Sequence, residues 1–577
     1  MRKSFLIPLA GLVCAGSLAA QNPRAYQDLT PAAAGAIYSP SVVSDGDMSA
    51  ILYNDSGDKG VYVVVGNGHG TAWGTPVRLD SDTTMAEKRN DTFSLVMDGS
   101  TLVAVWRDGR NNTSTTTTYY DTWVSVSNDG GQTWSPDQIL DKGGYPYGGS
   151  NTVLAVKAAI SGPHIYVAQL IDNGNDELWV LASHDGGLTW GTAVNASTVT
   201  NDIDNFAIGA DGLNCYVAWD DDRNALYDDD LWFRMSHDGL ATWMAPEAQI
   251  DASGPANGDI EYGGIFMTVD GPVIGLCWEE DELPSSMVDE ELHWNVSTDG
   301  GHTWGTEVVL QTGFDTDNHW MDYNGGTFAV AWEDNRNLAD EAFVAVSHDL
   351  GATWTETQLS AGGAAYPRVV VGGDYIGADW GGPSYPENPM AAVSRDGGMT
   401  WLPAQDLAMG GQPGDADYVE LGFNAKYNNF VAAWLSDDTG INHLYVGGER
   451  CQTLTPVGNF TPGGTVGFQA DNFGASEAGT GFGTLVAAGP GNYTIPFGGG
   501  YDTGLANDAY LNFTLGLNPG PLSGGLDAAG HGSTSTLNVP LSVPVGTVLH
   551  CVGVGYSVNA GVVTIGSITD VTTVTVQ

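Results

Sequence analysis

The stretch Ser127–Trp134 reads SNDGGQTW, and the chain repeats it five more times with small changes. The other copies read SHDGGLTW, SHDGLATW, STDGGHTW, SHDLGATW and SRDGGMTW. Ser, Asp and Thr side chains can bond to nearby backbone groups and fix a turn, and Gly tolerates the positive φ that a tight turn requires. The Trp that ends each copy is a large apolar side chain that has to be buried. Because each copy follows a short alternating apolar run, it predicts the corner of a β-hairpin.

The copies recur about every 50 residues, a period typical of a β-propeller. Each period also contains an apolar run that ends in Trp or a substitute, as in LVAVW at Trp106, and these runs give eight units between about Ser39 and Glu449. Seven blades remain open if the first or last unit is an imperfect cap. We expect Tyr26–Pro31 to supply the outer strand of the last blade, so that the ring has no free edge. We predict a structural role for the Asp and Trp residues of the six copies, which are Asp129, Asp185, Asp238, Asp299, Asp349, Asp396, Trp134, Trp190, Trp243, Trp304, Trp354 and Trp401.

The pattern S-x-D-x-G-x-T-W resembles the Asp-box, or bacterial neuraminidase (BNR) repeat, of the sialidase-like propeller superfamily. The resemblance implies an all-β propeller whose Asp-boxes lie on the face away from the active site, and an exo-α-sialidase-like glycoside hydrolase as the enzyme hypothesis. The chain departs from that family because no Phe/Tyr-Arg-Ile-Pro stands near the first blade. The nearest text is Tyr366-Pro367-Arg368, in another order and place. The catalytic residues therefore stay unassigned, and the alternative is a non-catalytic, calcium-dependent adhesion or glycan-binding propeller.

The length of 577 residues predicts two or more folding units. Residues 1–20 begin with a basic pair and an apolar run and end in small residues, which is typical of a signal peptide. Residues 21–450 form the predicted Asp-box propeller. Residues 451–577 contain no Lys or Arg and many Gly, Thr, Pro and Val residues, and we predict a small β-sandwich that serves as an attachment or structural module. We expect the mature protein to be secreted or held at the cell surface.

Acidic residues dominate the chain, with 69 Asp and Glu against 18 Lys and Arg and a net charge of −51. Such a surface repels phosphates and excludes nucleic acid as a partner. No other apolar stretch is long enough to span a bilayer, so we expect no membrane-spanning segment in the mature protein. We also expect a monomer whose partner is an extracellular glycan or a surface protein. Cys451 and Cys551 bracket the C-terminal segment and are candidates for a disulfide, a pairing that sequence alone does not prove.

Three predicted blades, the second, fourth and sixth, carry the motif W-x-D-x-R-N. Its arginines and the acids two residues before them are Arg110 and Asp108, Arg223 and Asp221, and Arg336 and Asp334. True sialidases grip the substrate carboxylate with three arginines, which is one interpretation of the motif. The favoured interpretation is an ion pair within each blade, with the preceding Asp or with an acid across the hairpin such as Asp230.

The loops of the fourth and fifth predicted blades hold the densest groups of carboxylates. Calcium takes six to eight oxygen ligands from such loops, so Asp220, Asp222, Asp228 and Asp230 are candidate calcium ligands. The equally weighted alternative is a solvated acidic surface.

Overall fold

The computed structural model of the chain describes most of the predicted propeller and part of the C-terminal segment. The described residues are 27–31, 35–46, 48–68, 70, 73–82, 93–199, 203–225, 228–251, 258–282, 290–312, 314, 316–382, 387–408, 419–425, 429–437, 442–447, 453–458, 460–471, 480–488, 505, 522–526, 531–535, 537–538, 544–559, 562–569 and 572–577. The predicted signal peptide and Cys451 lie outside them. Within these ranges no helix has the length and apolar character needed to cross a membrane.

The described residues up to Gly447 form eight four-stranded antiparallel sheets, which confirms the prediction of eight blades. From first to fourth strand, blade 1 has Ile37–Asp45, Met48–Asp55, Gly60–Asn67 and Val77–Arg78; blade 2 has Ser94–Asp98, Thr101–Asp108, Asp121–Ser127 and Gln138–Ile139; blade 3 has Thr152–Ser161, His164–Asp172, Asp176–Ser183 and Val194–Asn195; blade 4 has Phe206–Asp211, Asn214–Ala225, Asp228–Ser236 and Ala248–Gln249. Blade 5 has Gly258–Asp270, Val273–Glu282, Glu290–Ser297 and Val308–Gln311; blade 6 has Thr316–Asn324, Thr327–Asp334, Glu341–Ser347 and Thr355–Gln358; blade 7 has Ala365–Gly372, Tyr375–Gly381, Pro389–Ser394 and Gln405–Asp406; blade 8 has Glu420–Asn424, Asn429–Ser436, His443–Gly447 and, as its fourth strand, Gln27–Asp28.

The hydrophobic core lies between the blades. One cluster, for example, joins Tyr166 and Leu178 of blade 3 to Phe206 and Trp219 of blade 4. The second strands are the most deeply buried, and every residue of Thr327–Asp334 in blade 6 is buried. Apolar side chains on both faces of these strands explain why their sequences read as continuous apolar runs.

The ring closes through the N-terminal strand, as the sequence predicts. Gln27 and Asp28 pair with Val446 and Tyr445 of blade 8. The Leu29 backbone N–H then donates to the Leu444 carbonyl at 2.8 Å. The last blade therefore takes its outer strand from the start of the chain and its other three from residues 420–447, so that His443–Gly447 is paired on both sides.

The repeated phrase folds as a compact turn held by its own side chains. In Ser183–Trp190 the Thr189 N–H and hydroxyl donate to the Asp185 carboxylate at 2.9 and 2.6 Å, and the Ser183 hydroxyl donates to it at 2.8 Å. These hydrogen bonds, with those of Thr189 the largest, lower the pKa of Asp185 to about 2. Gly187 donates its N–H to the Ser183 hydroxyl at 2.9 Å.

Neighbouring copies of the phrase also contact each other around the ring. The His184 Nε2 of blade 3 lies 3.0 Å from the Gly239 carbonyl of blade 4, and His348 of blade 6 makes the same contact with Gly397 of blade 7. Gly187 has a φ of +83°, and a Cβ there would meet Val126 of blade 2 at 2.6 Å. In these blades the turn therefore contacts the neighbouring blade as well as closing its own hairpin.

The C-terminal segment forms two further sheets. The first sheet contains Thr453–Gly458, Thr465–Asp471, Gly532–Ser533 and Leu537–Asn538; the second contains Gly481–Ala487, Ser523–Gly525, Val548–Asn559, Val562–Ile568 and Thr572–Thr575. Their inner faces share one apolar cluster, in which Leu454 and Phe468 of the first sheet meet Phe482 and Cys551 of the second. This packing confirms the predicted small β-sandwich.

The thiol of Cys551 lies inside this sandwich. It is a free, fully buried thiol, and burial raises its pKa to about 12. Its predicted partner, Cys451, is outside the described residues, so the disulfide stays a prediction.

We predict that a chain beginning at residue 32 melts at a lower temperature than the mature chain. The truncation exposes the edge of blade 8 and removes Leu29 from its apolar cluster with Leu444. Gln27→Ala in the intact chain is the matched control, because the Gln27 side chain is exposed and its backbone pairing survives. Equal melting temperatures for the truncated and intact chains would contradict the role given to the N-terminal strand.

Candidate functional site

The two faces of the ring are distinguished by strand direction. Within a blade each strand runs antiparallel to its neighbour, so the end of the third strand, which carries the repeated phrase, lies at the same face as the end of the first strand. The start of the first strand and the loop between the second and third strands lie at the opposite face. The W-x-D-x-R-N motifs therefore share this opposite face, which we call the open face.

On the open face, Arg223 of blade 4 is clamped between two carboxylates. Its guanidinium bonds to Asp221 at 2.6 Å through Nε and to Glu247 at 2.5 Å through Nη1. It also lies over the Trp232 ring at 3.8 Å, a cation–π distance. The Trp219 indole N–H donates to Asp221 at 2.8 Å and holds that carboxylate in place. These contacts raise the pKa of Arg223 against the opposing effect of burial.

Blades 2 and 6 repeat this arrangement. Arg110 pairs with Asp108 and Asp137 over Trp123, and Arg336 pairs with Asp334 and Glu356 over Phe343. The acid across the hairpin contacts the Asn of the motif instead of the Arg, as in the pair Asn224–Asp230. The three guanidinium groups thus stay in three non-adjacent blades, each held within its own blade, and the structure does not bring them together.

Two of the four candidate calcium ligands, Asp220 and Asp230, point away from each other. Asp220 faces the first strand of its blade, where its carboxylate accepts the Asn205 amide at 2.7 Å, and burial raises its pKa to about 7. Asp230 faces the fourth strand and accepts Gln249 at 2.9 Å. The two point apart because Asp230 pairs with Asp221, whose side chain lies on the other side of the strand from Asp220. Asp222 is half-buried, and the side chain of Asp228 lies outside the described part of the chain. Calcium binding there stays a prediction.

The first strands of all eight blades surround a central channel with a volume of about 860 Å³. Five of these strands, in blades 1, 3, 5, 6 and 7, carry a β-bulge, each in the half nearer the open face. A bulge re-aims side chains and is common next to binding sites. Three bulges hold a non-glycine residue at positive φ, namely Ser39, Asn318 and Tyr366. This backbone strain marks the open end of the channel as the candidate site.

Arg368 is the most distinctive side chain at this end. It follows the bulge of blade 7, lines the channel, and pairs through Nη1 with Glu420 of blade 8. Its guanidinium lies 4.6 Å from the ring centre of Trp320 in blade 6. The second oxygen of Glu420 accepts the Val42 N–H of blade 1 at 2.9 Å. Four consecutive blades therefore hold one cation, one carboxylate and one indole at the channel.

A second carboxyl group lies behind this pair. Asp379 stands directly opposite Arg368 in the sheet of blade 7 and is completely buried. Neither of its oxygens receives a hydrogen bond from the described residues. Burial raises its pKa well above the usual value, and the nearby Glu420 adds to this effect while Arg368 opposes it. Burial therefore favours the neutral form of Asp379, which lies next to the ion-paired Glu420.

Other ionisable groups along the channel are also displaced from their usual behaviour. Burial lowers the pKa of Lys157, whose ammonium donates to the Phe206 carbonyl at 2.7 Å, to about 8. Burial raises the pKa of Asp322 to about 6. Perturbed groups of this kind concentrate at functional sites.

Blade 5 contains the described group of side chains that could hold a metal ion, Glu280, His293 and Glu307. One ligand atom from each lies within 4.8 Å of the others. The Glu307 hydrogen bond and the charges of Glu280 and Glu291 raise the pKa of His293 against the lowering effect of burial. The sequence did not single out this group, because His293 reads as one more residue of an apolar strand.

Comparisons with known proteins found similarity to a sialidase and to solved structures of glycan-active enzymes. No protein-family model matches the sequence. A sialidase of Bacteroides fragilis (strain YCH46) is 24% identical over 370 residues, and the match spans 60% of this chain and 60% of that protein. A PL25 ulvan lyase has a TM-score of 0.42 at 12% identity and covers 64% of this chain and 96% of its own. The NanB sialidase of Streptococcus pneumoniae has a TM-score of 0.32 at 10% identity, with 58% and 80% covered.

We predict that Arg223→Ala lowers the free energy of unfolding of the propeller by about 3 kcal/mol, since it leaves Asp221 and the 4% exposed Glu247 without their cation. Arg336→Ala is the matched comparison and should cost less, because Glu356 is 40% exposed and water can solvate it. Urea unfolding followed by Trp fluorescence measures both losses. Equal losses, or none at Arg223, would contradict the clamp as a structural element.

Proposed function

We propose that the protein is an exported, carbohydrate-active Asp-box propeller that binds an acidic glycan at the open end of its channel and hydrolyses a glycosidic bond there. The observation that carries the proposal is the combination of Arg368 over Trp320 with two carboxyl groups in different surroundings, the buried Asp379 and the ion-paired Glu420. The match to a protein named as a sialidase supports a glycan as the ligand. The signal-like residues 1–20 and the net charge of −51 support export.

Recognition would rest on Arg368 and Trp320. A guanidinium carries five N–H donors in a planar fork, so its pair with Glu420 leaves donors for a substrate carboxylate. Trp320 is half-buried beside it and offers a flat apolar surface of the kind that lines ligand sites. The bulges of blades 6 and 7 place both side chains at the channel.

Hydrolysis would rest on the two carboxyl groups. Glycoside hydrolases commonly use one protonated and one ionised carboxyl group, the first to protonate the leaving oxygen and the second to act as base or nucleophile. Here Asp379 would be the acid, since burial favours its neutral form, and Glu420 would be the carboxylate, since Arg368 pairs with it.

The proposal predicts that the protein cleaves at least one member of a panel of aryl glycosides of sialic acid, uronic acids and arabinofuranose. Asp379→Asn should lower kcat about 100-fold or more, since it removes the proton donor but keeps the shape of the side chain. Arg368→Lys should mainly raise KM, because lysine lacks the planar pair of guanidinium N–H donors that would bind the substrate carboxylate. Arg336→Lys, on the same face but outside the channel, is the control and should change neither constant.

The same panel separates the two candidate functions. Glycan binding that is lost in Arg368→Ala, without turnover of any substrate, would favour a non-catalytic binding propeller. Full activity of Asp379→Asn would show that the acid lies elsewhere. Glycan binding unaffected by Arg368→Ala would contradict the proposed site.

A further inference from the structure

Blade 5 departs from blades 2, 4 and 6 at the place where those blades hold their arginine. Glu280 follows Trp278 by two residues, as Asp221 follows Trp219, and its carboxylate likewise accepts the indole N–H, here at 3.2 Å. Glu307 stands after the closing Trp of its repeat, as Glu247 does in blade 4. Blade 5 therefore has a carboxylate at each of the two positions where blade 4 has one.

The cation and its aromatic support are what differ. The sequence has Glu282 at the position that Arg223 occupies in blade 4. The aromatic support is replaced as well, since His293 pairs with Trp278 where Trp232 pairs with Trp219. Blade 5 therefore keeps the two carboxylates and substitutes an imidazole for the aromatic ring.

The imidazole is turned towards the carboxylates. His293 Nδ1 is hydrogen-bonded to Glu307 and lies 3.8 Å from the nearer Glu280 oxygen. Its ring stacks on Trp278 with the ring centres 5.6 Å apart, and its side chain is only 9% exposed. The other ring nitrogen, Nε2, is buried and makes no hydrogen bond with the described residues.

We propose that a divalent transition-metal cation of the Zn²⁺ or Mn²⁺ type binds between Glu280, His293 and Glu307, in the place that an arginine guanidinium occupies in blades 2, 4 and 6. Three ligand atoms within 4.8 Å of one another suit a single ion. One imidazole nitrogen with two carboxylate oxygens is a donor set for such metals, whereas calcium prefers oxygen ligands alone. The ion balances the two carboxylates as the guanidinium does elsewhere, so its role is to join the strands of the blade.

The test uses the mature protein after treatment with EDTA and dialysis. Added ZnCl₂ or MnCl₂ should bind at about one ion per chain by mass spectrometry of bound metal, and should raise the melting temperature by a few degrees. CaCl₂ at the same concentration should not reproduce the shift. Glu307→Gln and His293→Phe should each abolish the stoichiometric binding and the shift, while Glu247→Gln in blade 4 should retain both.

A second variant tests the same inference if the first pair folds poorly. Glu282→Arg combined with His293→Trp rebuilds the blade 4 clamp, and it should bind no metal and melt at the same temperature with and without zinc. Absence of a stoichiometric ion in the unmodified protein, or undiminished binding in Glu307→Gln, would overturn the proposal. A melting temperature that changes with pH but not with added metal would also overturn the proposal. A proton on His293 would then balance the carboxylates of Glu280, Glu291 and Glu307 in place of the metal ion.

Discussion

The hydrogen bonds of the repeated turn are the interaction on which the ring depends. In each copy one Asp carboxylate binds the backbone and hydroxyl of the Thr four residues on, as Asp185 binds Thr189. This fixes the corner between the third and fourth strands and places a glycine against the preceding blade, as Gly187 lies against Val126. Six of the eight blades, blades 2 to 7, are thereby shaped by the same eight-residue phrase.

The repeated turns all lie on one face of the ring. The loops between the second and third strands, on the open face, do not carry this phrase and can differ between blades. On the open face, blades 2, 4 and 6 each hold an arginine ion pair, and blade 5 has a histidine between two carboxylates instead. The inner strands bulge only at this end, and there they carry Arg368 and Trp320 into the channel. Binding residues are commonly carried on loops and strand ends that a rigid scaffold positions.

The sequence predicts the parts of this structure that depend on short spacing. The turn, the eight blades and the N-terminal closing strand all follow from local patterns that repeat along the chain. The sequence did not predict the second acid of the arginine clamp, because Glu247 lies 24 residues beyond Arg223 and past the intervening turn. The channel group was also out of reach, since Trp320, Arg368 and Glu420 come from three blades and meet only when the ring closes.

The central claim is that ligands meet the propeller at the open end of the channel, beside Arg368, and that the face of the repeated turns is structural. A crystal structure of the protein soaked with an acidic sugar, such as free sialic acid or a uronic-acid oligosaccharide, tests this most directly. The account predicts electron density for the sugar with its carboxylate on Arg368 and its ring against Trp320. Sugar bound on the face of the repeated turns or on the C-terminal sheets, with none at Arg368, would contradict it.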